Sequence, residues 1–340
     1  MPAPAVLSRY SGELDGYLRS LVAGGHPPAL YRMLRYHLGW EDAEGGPTDQ
    51  GGKVLRPALC LLACEAAGGD WRKALPAAAG LELVHNFSLI HDDVQDRDPE
   101  RRHRPTVWRL WGDAQAINAG DALLALARLA VLRMVGEVAP QAVLQAVQVL
   151  DQRTLEMVEG QVMDIEFEQR LDVSVQAYLQ MIEKKTGALF DASLSLGALA
   201  AGADARLVEA MGSCGRLLGL AFQVRDDMLG VWGAEGRTGK RAAADIRRRK
   251  KSLPAVYALA SAEGDALDEL RRIYRRPEPD DEDVARVLRL LDGLGAREYC
   301  AGVAAEKMQA ALAILEGLAL RPEPALELRQ TAEFLLEREF

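Results

Sequence analysis

The stretch LPAAAGLELVHNFSLIHDDVQD, residues 75–96, decides how the rest of the chain is read. Its apolar residues recur at three- and four-residue spacings, which predicts a helix. They cover more than one face, as suits a helix inside a bundle rather than on its skin. The same pattern runs through 54–67, 116–135, 141–168, 175–200, 205–231, 253–262 and 284–318. Ala and Leu are abundant and aromatics make up only 6%, a bias that favours helix over sheet. No Val/Ile/Thr-rich alternation bounded by turn residues predicts a strand. EDAEGGPTDQGG (41–52), GAEGRTGKRAAAD (233–245) and RPEPDDED (276–283) read as loops, none of them a domain linker. The expectation is an all-α chain forming one large helical bundle, a single domain over 1–340, with a central cavity and loops capping one end.

Hydrophobic residues make up 49% and charged residues 27%, enough for a sizeable core and too apolar for disorder. The formal charge is −9, from 41 basic and 50 acidic residues, so a nucleic-acid partner has no global electrostatic support. Basic clusters at Arg101–Arg104 and Arg247–Lys251 could still hold small polyanions. Four cysteines, Cys60, Cys64, Cys214 and Cys300, make no disulfide scaffold, and Cys60 and Cys64 read as core. The opening MPAPAVLSRYSGEL lacks the basic start and apolar centre of a signal peptide. No uncharged apolar run reaches the roughly 18 residues expected of a membrane span. The expected location is the cytoplasm.

Two acidic constellations stand out. In HNFSLIHDDVQDRDPERRHRPT (85–106), a helix ending near Pro99 would place His85, Asp92 and Asp96 in one stripe, with Asp93 about 100° round. Like charges one turn apart destabilise a bare helix by a few tenths of a kcal/mol, which a bridging cation would offset. Carboxylates suit Mg²⁺, an ion that keeps waters and shares substrate phosphates. By itself the run also suits a solvated helix end. In FQVRDDMLG (222–230), Gln223, Asp226 and Asp227 share a face of an apolar helix, and carboxylates are seldom buried there without partners. Basic groups accompany both: Arg101 and Arg102 follow the first, Lys240 and Lys250 the second. Lys53 and Arg56 open an early helix, and Lys184 and Lys185 precede Thr186. Each alone reads as a solvated charge. Together they make a diphosphate chemistry, because Mg²⁺, Lys and Arg all bind phosphate oxygens.

In this order the motifs resemble those of the trans-isoprenyl diphosphate synthases (polyprenyl synthetases). GGKVLRP (51–57), HDDVQD with RRHRPT, GQVMD (160–164), KTGALF (185–190), FQVRDD (222–227) and a GK with later Asp and Lys (239–250) carry the resemblance. It implies the helical isoprenoid-synthase fold and a Mg²⁺-dependent transfer joining isopentenyl diphosphate to a dimethylallyl, geranyl or farnesyl diphosphate. It implies that Asp92 and Asp96 ligate Mg²⁺ with Asp93 close by, and that Asp226 holds a further ion, three ions in all. Arg101, Lys185 and Lys240 would grip the allylic diphosphate, with Lys250 in support. Lys53, Arg56, His85 and Arg102 would form a metal-free pocket for isopentenyl diphosphate. Thr186 and Gln223 would turn oxygen dipoles towards a carbocation, and a homodimer is expected by the same resemblance.

The second motif departs from the family's DDxxD, having Gly230 in fifth place. Phe87 lies five residues before Asp92, about 7.5 Å down the helix, and a large ring there resembles the floor of short-chain members. With the small Ser88 beside it and no two-residue insertion in the first motif, the resemblance implies the twenty-carbon geranylgeranyl diphosphate as product, fifteen-carbon farnesyl diphosphate being next. A terpene cyclase of the same fold would need no second pocket, and a non-catalytic subunit would lack the aspartates.

Overall fold

The computed structural model describes residues 4, 6–48, 54–233 and 243–337, of which 77% are helical. The helices are α1 (Val6–Arg9), α2 (Ser11–Val22), α3 (Pro28–His37), α4 (Leu55–Ala66), α5 (Leu75–Gln95), α6 (Val107–Trp111), α7 (Asp113–Leu132) and α8 (Pro140–Glu168). After them come α9 (Val175–Ile182), α10 (Ala188–Ala200), α11 (Ala205–Trp232), α12 (Ala244–Arg247), α13 (Leu253–Ser261), α14 (Gly264–Arg275), α15 (Asp281–Gly293), α16 (Ala296–Glu316) and α17 (Pro322–Glu337). Side-chain caps start several of them where water-facing N–H groups need an acceptor: Ser174, Asp204 and Asp280 accept from Ala177, Leu207 and Asp283.

Two sequence expectations need correction. The segment 284–318 is two helices, because the chain turns at Gly295 with φ +70°, a conformation glycine adopts without strain. The expected absence of strands also fails: β1 (Glu100–Arg101) and β2 (Arg104–Pro105) pair antiparallel. Arg102 and His103 both have positive φ, as a two-residue type I′ turn requires. Two-residue strands are too short to leave a readable alternation.

The core follows from composition. Every residue of α10 is buried, and it lies against α4, α8 and α11; α5 packs between α4 and α7. The four cysteines are free and buried among apolar side chains, as expected of core thiols. Burial pushes the Cys214 thiol up to about 12, so it stays protonated. Among the described residues, α7 alone is long and apolar enough to cross a membrane. Part of its surface, including Ala116, Ala119 and Leu123, is buried inside the bundle.

Close approach of helices depends on glycine. A Cβ on Gly197 of α10 would stand 2.2 Å from the carbonyl oxygen of Cys60 on α4. One on Gly215 of α11 would stand 2.3 Å from the Phe190 carbonyl oxygen on α10. Both obstacles are backbone, so neither can rotate away. Gly197→Ala and Gly215→Ala are each expected to lower unfolding free energy by about 1–3 kcal/mol, measured by urea denaturation. A midpoint equal to that of the parent protein would show that the helices separate freely.

Candidate active site

A mainly apolar cavity of about 370 Å³ lies between α4, α5, α7, α8 and α10. Arg56, His85, Phe87, Ser88, Asp92, Lys185 and Thr186, all singled out from sequence, line it together. Asp92 sits near the C-terminal end of α5, with Lys185, Gln95 and Gln161 close to that level. Phe87 stands a turn and a half deeper, beside Leu124, Met157 and Leu189. The cavity therefore has a charged mouth and an apolar throat. Phe87 is nearly buried and meets the His91 ring edge-on at 4.8 Å, so its position is fixed by packing.

Lys185 and Thr186 reach the mouth because the chain widens between α9 and α10. Residues Glu183–Gly187 form one π turn, a local widening often found at functional sites. Gly160 on α8 makes room for it, since a Cβ there would lie 2.3 Å from the Lys185 amide nitrogen. Lys185 Nζ pairs with Asp164 Oδ2 at 2.5 Å. Thr186 Oγ1 donates to Gln223 Oε1 at 2.8 Å, joining the turn to α11. Gln223 Nε2 then donates to Asp227 Oδ1 at 3.1 Å.

Asp227 is 1% exposed and fully engaged. Its Oδ2 accepts from Tyr178 at 2.5 Å and from the Leu253 amide at 3.2 Å, and Lys250 Nζ stands 3.9 Å from Oδ1. Burial lifts its carboxyl to about 6 against the opposing pull of Lys250 and Tyr178. Neighbouring Asp226 is half-buried. Of the two, Asp227 is the buried anchor and Asp226 the member nearer to water.

The first cluster divides in the same way. Asp93 is 2% exposed, and its Oδ1 accepts from Arg101 Nε at 2.8 Å and Nη2 at 2.7 Å. Asp92 and Asp96 take no side-chain hydrogen bond among the described residues. Burial raises the Asp92 carboxyl to about 6, with Lys185 opposing and Asp96 adding to the rise. Asp96, at the end of α5, is more open to water.

Among the described residues no three carboxylate, imidazole or thiol groups close round one point as a ready metal cage. Mg²⁺ needs no such cage, since it is held by one or two carboxylates together with waters and phosphate oxygens. Unpartnered, desolvated oxygens on Asp92, with Asp96 one turn on, are a hard donor set of that kind.

On the α4 side, Arg56 Nη1 lies 3.4 Å from His85 Nε2, and its guanidinium stacks over Phe190 at 5.2 Å. Burial, reinforced by Arg56 and Arg102, holds His85 well below the usual imidazole range, so it is neutral and can accept from Arg56. Arg101 and Arg102 line a small recess with Asp93 and His37 instead of the main cavity. Lys53 and Lys240 lie outside the described residues.

Three contributors stand outside the residues given a role from sequence. Tyr178 carries no signal beyond helical periodicity, yet its hydroxyl holds Asp227. Asp164, the last residue of GQVMD, is the partner of Lys185. His91 fits against α7 because Gly120 is there; a Cβ at 120 would lie 2.3 Å from its Nε2. The departure at Gly230 also acquires a reason. A Cβ there would meet the Asp245 carboxylate at 2.3 Å, so Asp245 of α12 occupies the space that a side chain at 230 would need.

Residues 46–291 match the family model described as Polyprenyl synthetase. The chain is 40% identical over 318 residues to a (2E,6E)-farnesyl diphosphate synthase of Mycobacterium tuberculosis, covering 92% of this chain and 87% of that one. It is 39% identical over 321 residues to a geranylgeranyl diphosphate synthase of the same organism, covering 94% and 90%. A polyprenyl synthetase from Streptomyces coelicolor superposes with TM-score 0.92 at 37% identity, covering 98% and 99%. The chain belongs to the polyprenyl synthetase family, among its short-chain trans-isoprenyl diphosphate synthases.

The raised Asp92 carboxyl carries a stability consequence. A folded-state value above that of the free chain means the folded protein binds the proton more tightly. Its contribution is complete below the ordinary carboxylate range and is lost as pH rises through about 6. At pH 7.5 the metal-free Asp92→Asn variant is expected to melt roughly 2–4 °C above the parent. The gain should vanish near pH 4; an unchanged or lower Tm at pH 7.5 would show that Asp92 carries no burial strain.

Proposed function

We propose that the chain joins isopentenyl diphosphate to an allylic diphosphate and makes the twenty-carbon geranylgeranyl diphosphate. The observation that carries this reading is one cavity with Asp92 and Lys185 at its mouth and the Arg56–His85 pair on its wall, over a floor set by Phe87. One helical domain, 1–340, supplies all of it.

When bound, Mg²⁺ neutralises charge developing on the departing allylic diphosphate. Asp92 and Asp96 would hold it from α5 and Asp226 from α11, with three ions per site as the upper reading. Asp93 fixes Arg101 and Asp164 fixes Lys185, which restricts the rotation of two cations that would meet phosphate oxygens, Lys185 from the cavity and Arg101 from the recess beside Asp93. Lys240 and Lys250 would add charge from the segment after α11. Lys53, Arg56, His85 and Arg102 would hold the second diphosphate without metal. Thr186 and Gln223 are locked to each other, and their oxygen dipoles would be turned towards the carbocation without free rotation. The apolar throat excludes water that would quench a carbocation. The proton lost in the condensation can leave on released diphosphate, so no dedicated side-chain base is needed.

A farnesyl product is the second reading, favoured by the 40% identity to a farnesyl diphosphate synthase. A cyclase would leave the Arg56–His85 pair without a task.

A homodimer is also proposed. Leu155, Val158, Val162 and Ile165 form an exposed apolar row at three- and four-residue spacing on α8, with Leu129 and Leu132 exposed on α7. The protein is expected to elute as a dimer on sizing, and Leu155→Glu/Val162→Glu as a monomer. Elution of the parent as a monomer would sink the proposal.

Mass spectrometry of products from each allylic starter tests the chemistry. The twenty-carbon diphosphate is expected, with turnover reduced roughly a hundredfold or more in Asp92→Ala. Phe87→Ala is expected to lengthen the product. Unchanged length would remove Phe87 as the floor, and no condensation from any starter would overturn the function.

A further inference from the structure

Outside the cavity, the RRIYRR run of α14 (271–276) divides its arginines between two faces. Arg272 and Arg276 pair with Asp283 of α15, and Arg272 also with Glu269. Arg271 and Arg275, one turn apart and exposed, form no ion pair among the described residues. They face an open groove bounded by the end of α8, the segment 249–251 and α14.

Arg249 and Lys251 line that groove as well. Arg249 has φ +54°, a strained conformation for a side-chain-bearing residue and one that persists only where surroundings impose it. Lys251 is 8% exposed. Its Nζ donates to the carbonyl oxygens of Glu168 at 3.2 Å and Arg249 at 3.3 Å and lies over the Tyr274 ring at 5.5 Å. This is a cation held in place by the fold. The Arg170–Asp172 pair at the rim cancels itself, leaving Arg249, Lys251, Arg271 and Arg275 against Glu168. Like charges at i and i+4 on α14 are unfavourable, and burying an ammonium costs more. A chain of net charge −9 gains nothing in solubility from such a cluster.

We propose that this groove is a second anion site, taking a ligand with several ionised phosphate oxygens, of diphosphate size. Arg271 and Arg275 supply planar donors from one side, while Lys251 supplies a fixed point charge from the floor. The groove is joined to the second acidic pair by three consecutive residues: Lys250 faces Asp227, while Arg249 and Lys251 face the groove. Occupancy of the groove would therefore bear on the placement of Lys250.

Equilibrium dialysis with radiolabelled inorganic diphosphate in EDTA tests the proposal on the whole protein. Two classes of site are expected, one lost in Arg56→Gln and one kept in it. Arg271→Gln/Arg275→Gln should weaken the kept class at least tenfold and leave the other class and the basal turnover unchanged. Binding to phosphatidylglycerol vesicles but not to free diphosphate, lost in Arg271→Gln/Arg275→Gln, would assign the site to a lipid head group. Loss of all diphosphate binding in Arg56→Gln together with no vesicle binding would overturn the proposal. So would a kept class that survives in Arg271→Gln/Arg275→Gln. Condensing activity is measured separately, so the failure of one reading leaves the other standing.

Discussion

The architecture of the site depends on one buried carboxylate. Asp227 is out of water, and an ionised group there must be satisfied on all its lone pairs or it disrupts the fold. Its partners come from separate elements: Tyr178 from α9, Gln223 from α11, the Leu253 amide at the start of α13, and Lys250 just before it. Satisfying Asp227 therefore fixes three helices relative to one another. Gln223 passes the constraint to Thr186 and so to the π turn that presents Lys185. The second acidic pair is thus tied to the wall of the cavity through Gln223 and Thr186, by polar groups that cannot be left unpaired, in addition to the apolar packing between the helices.

Within each acidic pair the work is divided by solvent exposure. Asp93 and Asp227 are buried and bonded to Arg101 and to Tyr178 respectively, while Asp92 and Asp226 are the half-buried members. Adjacent residues on a helix point about 100° apart, so a doubled aspartate places one carboxylate towards the scaffold and the other towards the more open side. The doubling is a way of holding a charged group rigidly at the mouth of an apolar cavity. Its electrostatic consequence is visible at Asp92, whose carboxyl is lifted to about 6 by burial. An acidic group kept partly dry and unpartnered is poorly matched to the empty protein and well matched to a cation.

Much of this was legible in the sequence because the relevant residues are close together on helices. His85, Ser88 and Asp92 lie within about 60° of one another on one helix, so periodicity places them along one wall. Thr186 and Gln223 were identified through motifs, and the bond between them could not be, since it spans 37 residues. The π turn was illegible for a different reason. Its sequence, EKKTG, is compatible with ordinary helix, and what widens it is the space left by Gly160 on another helix. Arg101 and Arg102 read as neighbours in one basic run, and a ribbon of two-residue strands with a type I′ turn sets both at a small recess apart from the main cavity. The homodimer expectation rested on resemblance alone, and the exposed row on α8 is a feature that periodicity counted as core.

The glycine at 230 shows how a departure from a motif can be a property of space. Read along the chain, it is a missing carboxylate three residues after Asp227. Read in three dimensions, the place is taken, because the Asp245 carboxylate stands where a side chain at 230 would begin. Asp245 is itself nearly buried, on a helix that follows the second acidic pair by some fifteen residues. The local negative charge is therefore maintained from α12 while α11 stays narrow at that point. Motif counting treats the two positions as independent, whereas sterics couple them: a residue larger than glycine at 230 is compatible only with a smaller or displaced residue at 245. The order of acidic residues in the chain is thus one of several ways to place the same charge, and helix packing decides which of them this protein uses.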